Sequence, residues 1–367
     1  MRTVKEPSRA PAVNVVQVLG TLDRGGVEGV ALELCRRISP ADVHQTFLTL
    51  GRGEGSLAPR FRSLGAAVAP CPLRPVATFP LRLWLRLLGE RPDVVVSHVS
   101  LASGPVLAVA ALAGVHTRIA WLHSDGDGHP DHWCRRQRRR VMRWVLRHCA
   151  TEVLGVTSAA LAFAGRSGVH ARYRVMPNGV DTDRFTMRPR SSDVPTFVHI
   201  GRASPEKNRG FVVRVHTEVK VLRADARLIV AGPGGIDDLV AVAPDIAADP
   251  DVRLIGETEQ VPEVLAEADV LLLPSLREGM PNVVLEALAC GVPVLASDLP
   301  GLRELAGQVA GISLLPITAD PRVWARTALR LAATSWDERS AIGAGIRRSP
   351  YTAVHCAKTW RRLWTSR

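Results

Sequence analysis

Short apolar, β-branched runs alternate with helix-length amphipathic stretches along almost the whole 367-residue chain. No other feature restricts the fold as much. In the first half the runs fall at 13–19, 43–50, 94–98, 118–122, 152–156 and 173–176. In the second half they fall at 196–200, 227–231, 252–255, 269–273, 293–296 and 312–315. Most are continuously apolar, the pattern of strands buried on both faces. Strand–helix alternation means βαβ units, and therefore parallel sheets covered by helices on both sides. So many strands in a single sheet would be unusual, and a break near the middle is expected. Residues 177–195 (PNGVDTDRFTMRPRSSDVP) are rich in Pro, Asp, Ser and Arg and show no apolar period, which marks an interdomain linker. The expectation is an α/β protein of two doubly wound domains facing each other across a cleft. The first spans 1–185 and the second 190–350. Ligands of such sheets bind beyond the carboxyl ends of the strands.

The net charge of +12 is unevenly distributed. Residues 1–190 hold 27 Lys and Arg against 14 Asp and Glu, so the whole excess lies in the first half and points to an anionic partner there. The densest segment, 135–149, reads RRQRRRVMRWVLRHC. As a helix it is expected to gather Val141, Trp144, Val145 and Leu146, with Arg on the other sides. A basic amphipathic helix of this kind can lie on an anionic lipid surface, or present an ordinary solvated face. No zinc finger, RRM signature or aromatic–basic interleaving occurs, so no nucleic acid partner is expected. The six cysteines form no C-x-x-C pair, which argues against a zinc ribbon or a disulfide scaffold and for a reducing cytoplasm. The longest apolar stretch, 104–115, falls well short of the ~20 residues of a membrane span. The first twelve residues contain no apolar signal-peptide region. These features predict a cytoplasmic protein, with peripheral attachment to the inner face of the membrane compatible with segment 135–149.

Three loops at expected strand ends carry candidate chemistry. After the first run comes GTLDRGG, where Gly25 and Gly26 open a helix. Glycine there lets a ligand approach the backbone, and a helix N-terminus favours an anion, although a plain tight turn reads the same way. The run 196–200 is followed by GRASPEKN, in which Arg202 and Lys207 can both donate charge-assisted hydrogen bonds to phosphate. Only four of the 47 basic residues are lysines, so a lysine in this turn stands out. The richest segment is 269–298, DVLLLPSLREGMPNVVLEALACGVPVLASD. A buried strand leads into a loop. Pro281 is expected at the first helical position, where its missing N–H is not needed, and the helix should end near Gly291. Gly279 and the first helical N–H groups form an anion cradle. Glu278 and Glu286 stand beside it, able to accept sugar and ribose hydroxyls. Glu286 alternatively serves as an acidic residue near the helix N-terminus.

The succession GG, PNGVD, GRASPEKN and a Glu-x7-Glu within PSLREGMPNVVLEALACGVPV resembles the family 4 retaining glycosyltransferases of the GT-B fold, bacterial exopolysaccharide members above all. The resemblance implies two Rossmann-like domains, with the nucleotide-sugar held mainly by the second and a C-terminal helix (351–367) returning to the first. It further implies that Arg202 and Lys207 hold the diphosphate and Glu286 the ribose. Glu278, with Gly279, Met280, Pro281 and Asn282, would position the donor sugar. Gly25 and Gly26 would approach the diphosphate from the first domain, and His123 would lie near the reacting sugar. The acceptor would be lipid-linked or a glycan. No cofactor and no metal are expected. The segment HSDGDGHPDHWC (123–134) nevertheless holds Asp125, Asp127, His129, Asp131 and His132, which read either as an acceptor-side loop or as a metal cluster. An EF-hand fails at Pro130 and Arg136. Other readings are an epimerase or a phosphorylase on the same fold, a non-catalytic scaffold and a dehydrogenase. The last lacks G-x-G-x-x-G after its first strand.

Overall fold

The computed structural model describes residues 12–126, 128, 132–165, 171–189 and 193–366. The first lobe runs β1 (Val13–Leu19), α1 (Gly26–Arg37), β2 (Val43–Thr49), α2 (Ala58–Ser63), β3 (Ala67–Pro70), α3 (Phe79–Glu90), β4 (Val94–Ser97), α4 (Ser103–Leu112), β5 (Thr117–Leu122), α5 (Trp133–Cys149), β6 (Glu152–Gly155), α6 (Ser158–Phe163) and β7 (Tyr173–Val175). The second runs β8 (Thr196–Ile200), α7 (Arg209–Leu222), β9 (Arg227–Ala231), α8 (Asp237–Val240), β10 (Val252–Gly256), α9 (Val261–Ala266), β11 (Val270–Leu273), α10 (Asn282–Ala289), β12 (Val294–Ser297), α11 (Pro300–Ala306), β13 (Ile312–Leu315), α12 (Pro321–Ala332) and α13 (Trp336–Arg348). A last helix, α14 (Ala353–Thr365), packs on α1 and β1 of the first lobe.

Two fully parallel sheets result, ordered β3-β2-β1-β4-β5-β6-β7 and β10-β9-β8-β11-β12-β13. This is the doubly wound architecture read from the run–helix alternation. One strand was not anticipated. β3 is four residues long, lies at the sheet edge and ends in Pro70, and its Ala67-Val68-Ala69 is too short and too poor in β-branched residues to read as a strand.

The strand orders explain where a ligand can sit. From β1 the chain moves outward through β2 and β3, then jumps to β4 on the other side of β1. Right-handed crossovers therefore place α1 and α2 on one face and α3, α4 and α5 on the other. The reversal opens a crevice at the carboxyl ends of β1 and β4. The second sheet repeats the device between β8 and β11. The loops with candidate chemistry follow β1, β8 and β11, so topology alone brings them to the two crevices.

Two local expectations need correction. Pro281 is not the first helical residue. Its ψ of 119° is extended, so it caps α10, which begins at Asn282. In α5, Leu146 is fully buried where the helix packs on α4, while Val141 and Trp144 are exposed, 58% and 63%. At 100° per residue Leu146 lies almost opposite Trp144, so the four apolar residues divide between two faces. The segment after β7 is also more than a solvated linker. Val180 bridges to Thr352, with Val180 N–H donating to Tyr351 O at 2.8 Å and Ala353 N–H donating to Val180 O at 2.8 Å. The two chain crossings between lobes thus run side by side. No helix among the described residues is long and apolar enough to cross a membrane.

Candidate active site

The two crevices face each other and touch. Gly279, in the loop after β11, packs so closely on the loop after β5 that an added Cβ would lie 2.1 Å from the carbonyl oxygen of His123. Backbone meets backbone there, so only glycine fits. Asn282, at the start of α10, donates from Nδ2 to the Gly26 carbonyl at 2.9 Å. Asn178, in the interlobe segment, holds the second-lobe side of this contact, donating to Asn282 Oδ1 (2.7 Å) and to the Met280 carbonyl (3.2 Å). Gly25 and Gly26, Met280, Pro281 and Asn282 are therefore brought together, and the N-termini of α1 and α10 both open onto the cleft. Their unpaired N–H groups and helix dipoles favour an anion there.

Lys207 sits in a single 3-10 turn, Pro205–Lys207, beyond β8. Its Nζ lies 2.6 Å from Oε1 of Glu278, which also accepts from Ser275 Oγ at 2.7 Å. The two side chains are mostly buried, 17% and 9% exposed. Lys207 and Glu278, read from sequence as separate binders, form one ion pair at the floor of the second crevice. Arg202 is exposed at the mouth. Burial raises the Glu28 carboxyl of α1 above its ordinary value, and the charge of Arg202 opposes that shift from the other lobe. Glu286 is half-buried on α10. Burial pushes its pKa up to about 7, with Arg184 of the interlobe segment pulling it down.

His123 follows β5. Its ring lies against Trp121, with centroids 4.4 Å apart, and stacks on His98 at 5.3 Å. Burial, then the neighbouring His98, holds its pKa well below the ordinary histidine value, so the imidazole is neutral.

Sequence reasoning missed Asn178, Ser275, His98 and Arg277. Asn178 lies in the quoted PNGVD motif, which was its only signal. Arg277 neighbours Glu278 and reaches the first lobe, where a Cβ on Gly128 would lie 2.4 Å from its Nη1. Of the Asp/His cluster, Asp127, His129 and Asp131 lie outside the described residues. Among the described residues no group of three His, Cys, Asp or Glu is placed to hold a metal.

Chemically, the cleft offers an anion cradle from two helix N-termini, two cations beside it, one carboxylate anchored by Lys207 and another near neutrality. That set suits a ligand with a phosphate bridge and hydroxyl groups.

Comparison with known proteins agrees. Residues 25–179 match the model of the glycosyl transferase 4-like domain, and residues 194–334 match that of the glycosyl transferases group 1. EpsF of Bacillus subtilis (strain 168) is 26% identical over 358 residues, covering 92% of this chain and 93% of that protein. The GDP-mannose-dependent alpha-(1-6)-phosphatidylinositol monomannoside mannosyltransferase of Mycobacterium tuberculosis (strain ATCC 25618 / H37Rv) is 29% identical over 311 residues, covering 77% and 79%. The crystal structure of Anabaena HepE in complex with UDP and glucose superposes with a TM-score of 0.78 at 15% identity, over 96% of this chain and 99% of that one. With both halves of the chain matched and the two-sheet architecture shared, the protein belongs to the family 4 glycosyltransferases and has their GT-B fold.

Proposed function

We propose that this glycosyltransferase is a retaining enzyme that moves a sugar from a nucleotide-sugar to a lipid-linked or glycan acceptor during cell-envelope or exopolysaccharide synthesis. The observation that carries the reading is the closed cleft itself, in which Gly279 abuts His123 while Lys207 and Glu278 pair at the floor. The relatives whose names mention GDP-mannose and UDP support a nucleotide donor.

In this reading the diphosphate lies across the N-termini of α1 and α10, with Gly25 and Gly26 on one side and Arg202 and Lys207 on the other. Breaking the sugar–phosphate bond leaves a nucleoside diphosphate anion, and these preorganised donors stabilise that charge as it develops. Glu286 accepts the ribose hydroxyls. Glu278 and the backbone of Gly279, Met280 and Pro281 position the sugar beside His123. The departing phosphate takes the acceptor hydroxyl's proton on the face it leaves, which retains configuration without the pair of flanking carboxylates that hydrolases use. The cations do the work of charge neutralisation, so a chelator is expected to leave turnover intact.

The acceptor side belongs to the first lobe. Val141 and Trp144 of α5 face outward among arginines, and Leu81 and Leu85 of α3 are exposed on the same side of the sheet. A lipid surface rich in anionic headgroups suits that face and would deliver a lipid-linked acceptor to the cleft.

The test is a thermal-shift screen with nucleoside diphosphates and their sugar conjugates, followed by transfer assays on prenyl-phosphate sugars with and without chelator. Transfer with an anomerically retained product is expected, and Glu286→Ala should weaken nucleotide binding. Conversion of a nucleotide-sugar into an isomer without acceptor, or unchanged affinity in Glu286→Ala, would overturn this reading.

A further inference from the structure

Two glutamines occupy positions that the strand pattern reserves for apolar residues. Gln17 in the middle of β1 is fully buried, and Gln45 on β2 is nearly so. Gln45 pairs in register with Val15, two residues from Gln17, so both side chains fall on one face of the sheet. Buried amides cost stability unless they are bonded, so their bonds need an account. Gln17 Nε2 donates to Gln45 Oε1 at 2.7 Å. Gln17 Oε1 lies 3.0 Å from His98 Nε2. His98 Nδ1 in turn lies 3.1 Å from His123 Nε2. A buried polar chain thus runs from β2 through β1 and the end of β4 to the residue that faces Gly279 across the cleft.

The chain has a direction. The Gln17 oxygen only accepts, so His98 carries its proton on Nε2. Burial keeps His98 neutral, with its pKa lowered to about 3, and a neutral imidazole holds a single N–H. His98 Nδ1 is therefore an acceptor, and His123 must donate to it from Nε2. His123 is neutral too, which leaves Nδ1 with a bare lone pair. That nitrogen points away from His98 and is buried without a hydrogen-bond partner.

We propose that Gln45, Gln17 and His98 are positioning residues that lock His123 in its Nε2-protonated tautomer, so that Nδ1 accepts a hydrogen bond from a hydroxyl of the donor sugar. The chain thereby sets specificity, because the sugar must offer an O–H at that point and an acceptor-only substituent will not serve. The sugar half of this statement rests on the nucleotide-sugar reading, whereas the tautomer half stands on the ligand-free protein.

The test has two arms. In the first, the full chain is labelled with 15N-histidine and long-range 1H–15N spectra are recorded without ligand, with the His123 signals assigned by their loss in His123→Gln. The expected result is protonated Nε2 and unprotonated Nδ1 at both His98 and His123. In Gln17→Met, which keeps shape and removes the acceptor, His123 should become a mixture of tautomers. His98→Phe provides a second variant should Gln17→Met fail to fold, and it should likewise release the His123 tautomer. A proton found on Nδ1 of His123 in the unmodified protein, or a His123 spectrum unchanged in both variants, would overturn the lock. In the second arm, donors bearing a deoxy or a deoxyfluoro substitution at each sugar position are compared. At one position or more the deoxy donor should bind about tenfold more weakly in calorimetric titration and the deoxyfluoro donor should bind no better, the loss expected for one missing hydrogen bond. Fluorine that restores affinity at every position where the deoxy donor is weakened, or deoxy donors that all bind as tightly as the parent sugar, would overturn the acceptor role. Failure of every nucleotide-sugar to turn over would instead strike the functional reading and leave the first arm standing.

Discussion

Lys207 and Glu278 illustrate how a side chain acquires a role from its partner. A mostly buried ion pair adds little net stability, but removing one member leaves an uncompensated charge at a cost of about 3–5 kcal/mol. Lys207→Met should therefore lower the melting temperature and reduce turnover by about 10²–10³-fold. Adding Glu278→Leu should recover much of the melting temperature without recovering turnover, a split that calorimetry and transfer assays together will read. Glu286 makes a different prediction. Its carboxyl titrates near 7 in the folded protein, against an ordinary value of 4.5. Between those values the folded chain holds a proton that the unfolded chain has released, so stability falls as pH rises through that window. Glu286→Gln should flatten this part of the stability profile in denaturation experiments. In the proposed reading ribose hydroxyls donate to the ionised form, so nucleotide affinity should rise as pH climbs toward and through 7. In Glu286→Gln that rise should vanish, as calorimetric titrations across pH will show. Arg202, Lys207, Glu278 and Glu286 were picked out in the sequence from the loops after expected strand ends and from the family resemblance. Asn178 and His98 were not, because their partners lie far away in the chain.

At the scale of elements, α5 shows what periodicity settles and what it leaves open. Its length and basic character were readable, but the face turned inward was decided by α4. Gly104 of α4 approaches so closely that a Cβ would lie 3.0 Å from the Leu146 amide, which pulls Leu146 inward and turns Trp144 out. Arg136 and Arg140 flank that outer face in solvent. The double charge reversal Arg136→Glu/Arg140→Glu should weaken binding to anionic vesicles at least tenfold, given about 1 kcal/mol per basic residue near such a surface. The melting temperature should hardly move. Vesicle sedimentation at two salt concentrations checks this, and unchanged partitioning would remove α5 from the docking surface. The missed β3 is the converse case, since an edge strand of four residues is set by its neighbour β2 rather than by its own composition.

The two lobes meet along both sides of the cleft, and a continuous apolar cluster joins them behind it. Arg24, in the loop before α1, pairs with Glu257 at 3.2 Å and with Glu259 of the second lobe. On the other side, the Ser158 amide donates to Glu304 at 2.8 Å. Between them lies the glycine contact of Gly279 with His123. In Gly279→Ala the new methyl would meet backbone on the first lobe, and neither side can yield without parting the lobes. Small-angle scattering should show a more open particle in the presence of nucleotide. Turnover should fall more than about 100-fold, because reacting groups displaced by even about 1 Å lose that much. The proposed reading places the nucleotide mainly on the second lobe, so its affinity should change far less.

The residues in order were enough to establish strand–helix alternation, two parallel sheets and which loops lie at the carboxyl ends of their strands, because these depend on local periodicity and on the strand ends where the loops begin. They were also enough to carry the resemblance to the glycosyltransferases. Only the tertiary structure decided that Lys207 meets Glu278, that Asn282 reaches Gly26, and that Gln45, Gln17 and His98 line up behind His123. Each of these contacts joins segments far apart in sequence, and their geometry is set by sheet order and by how closely two backbones can approach.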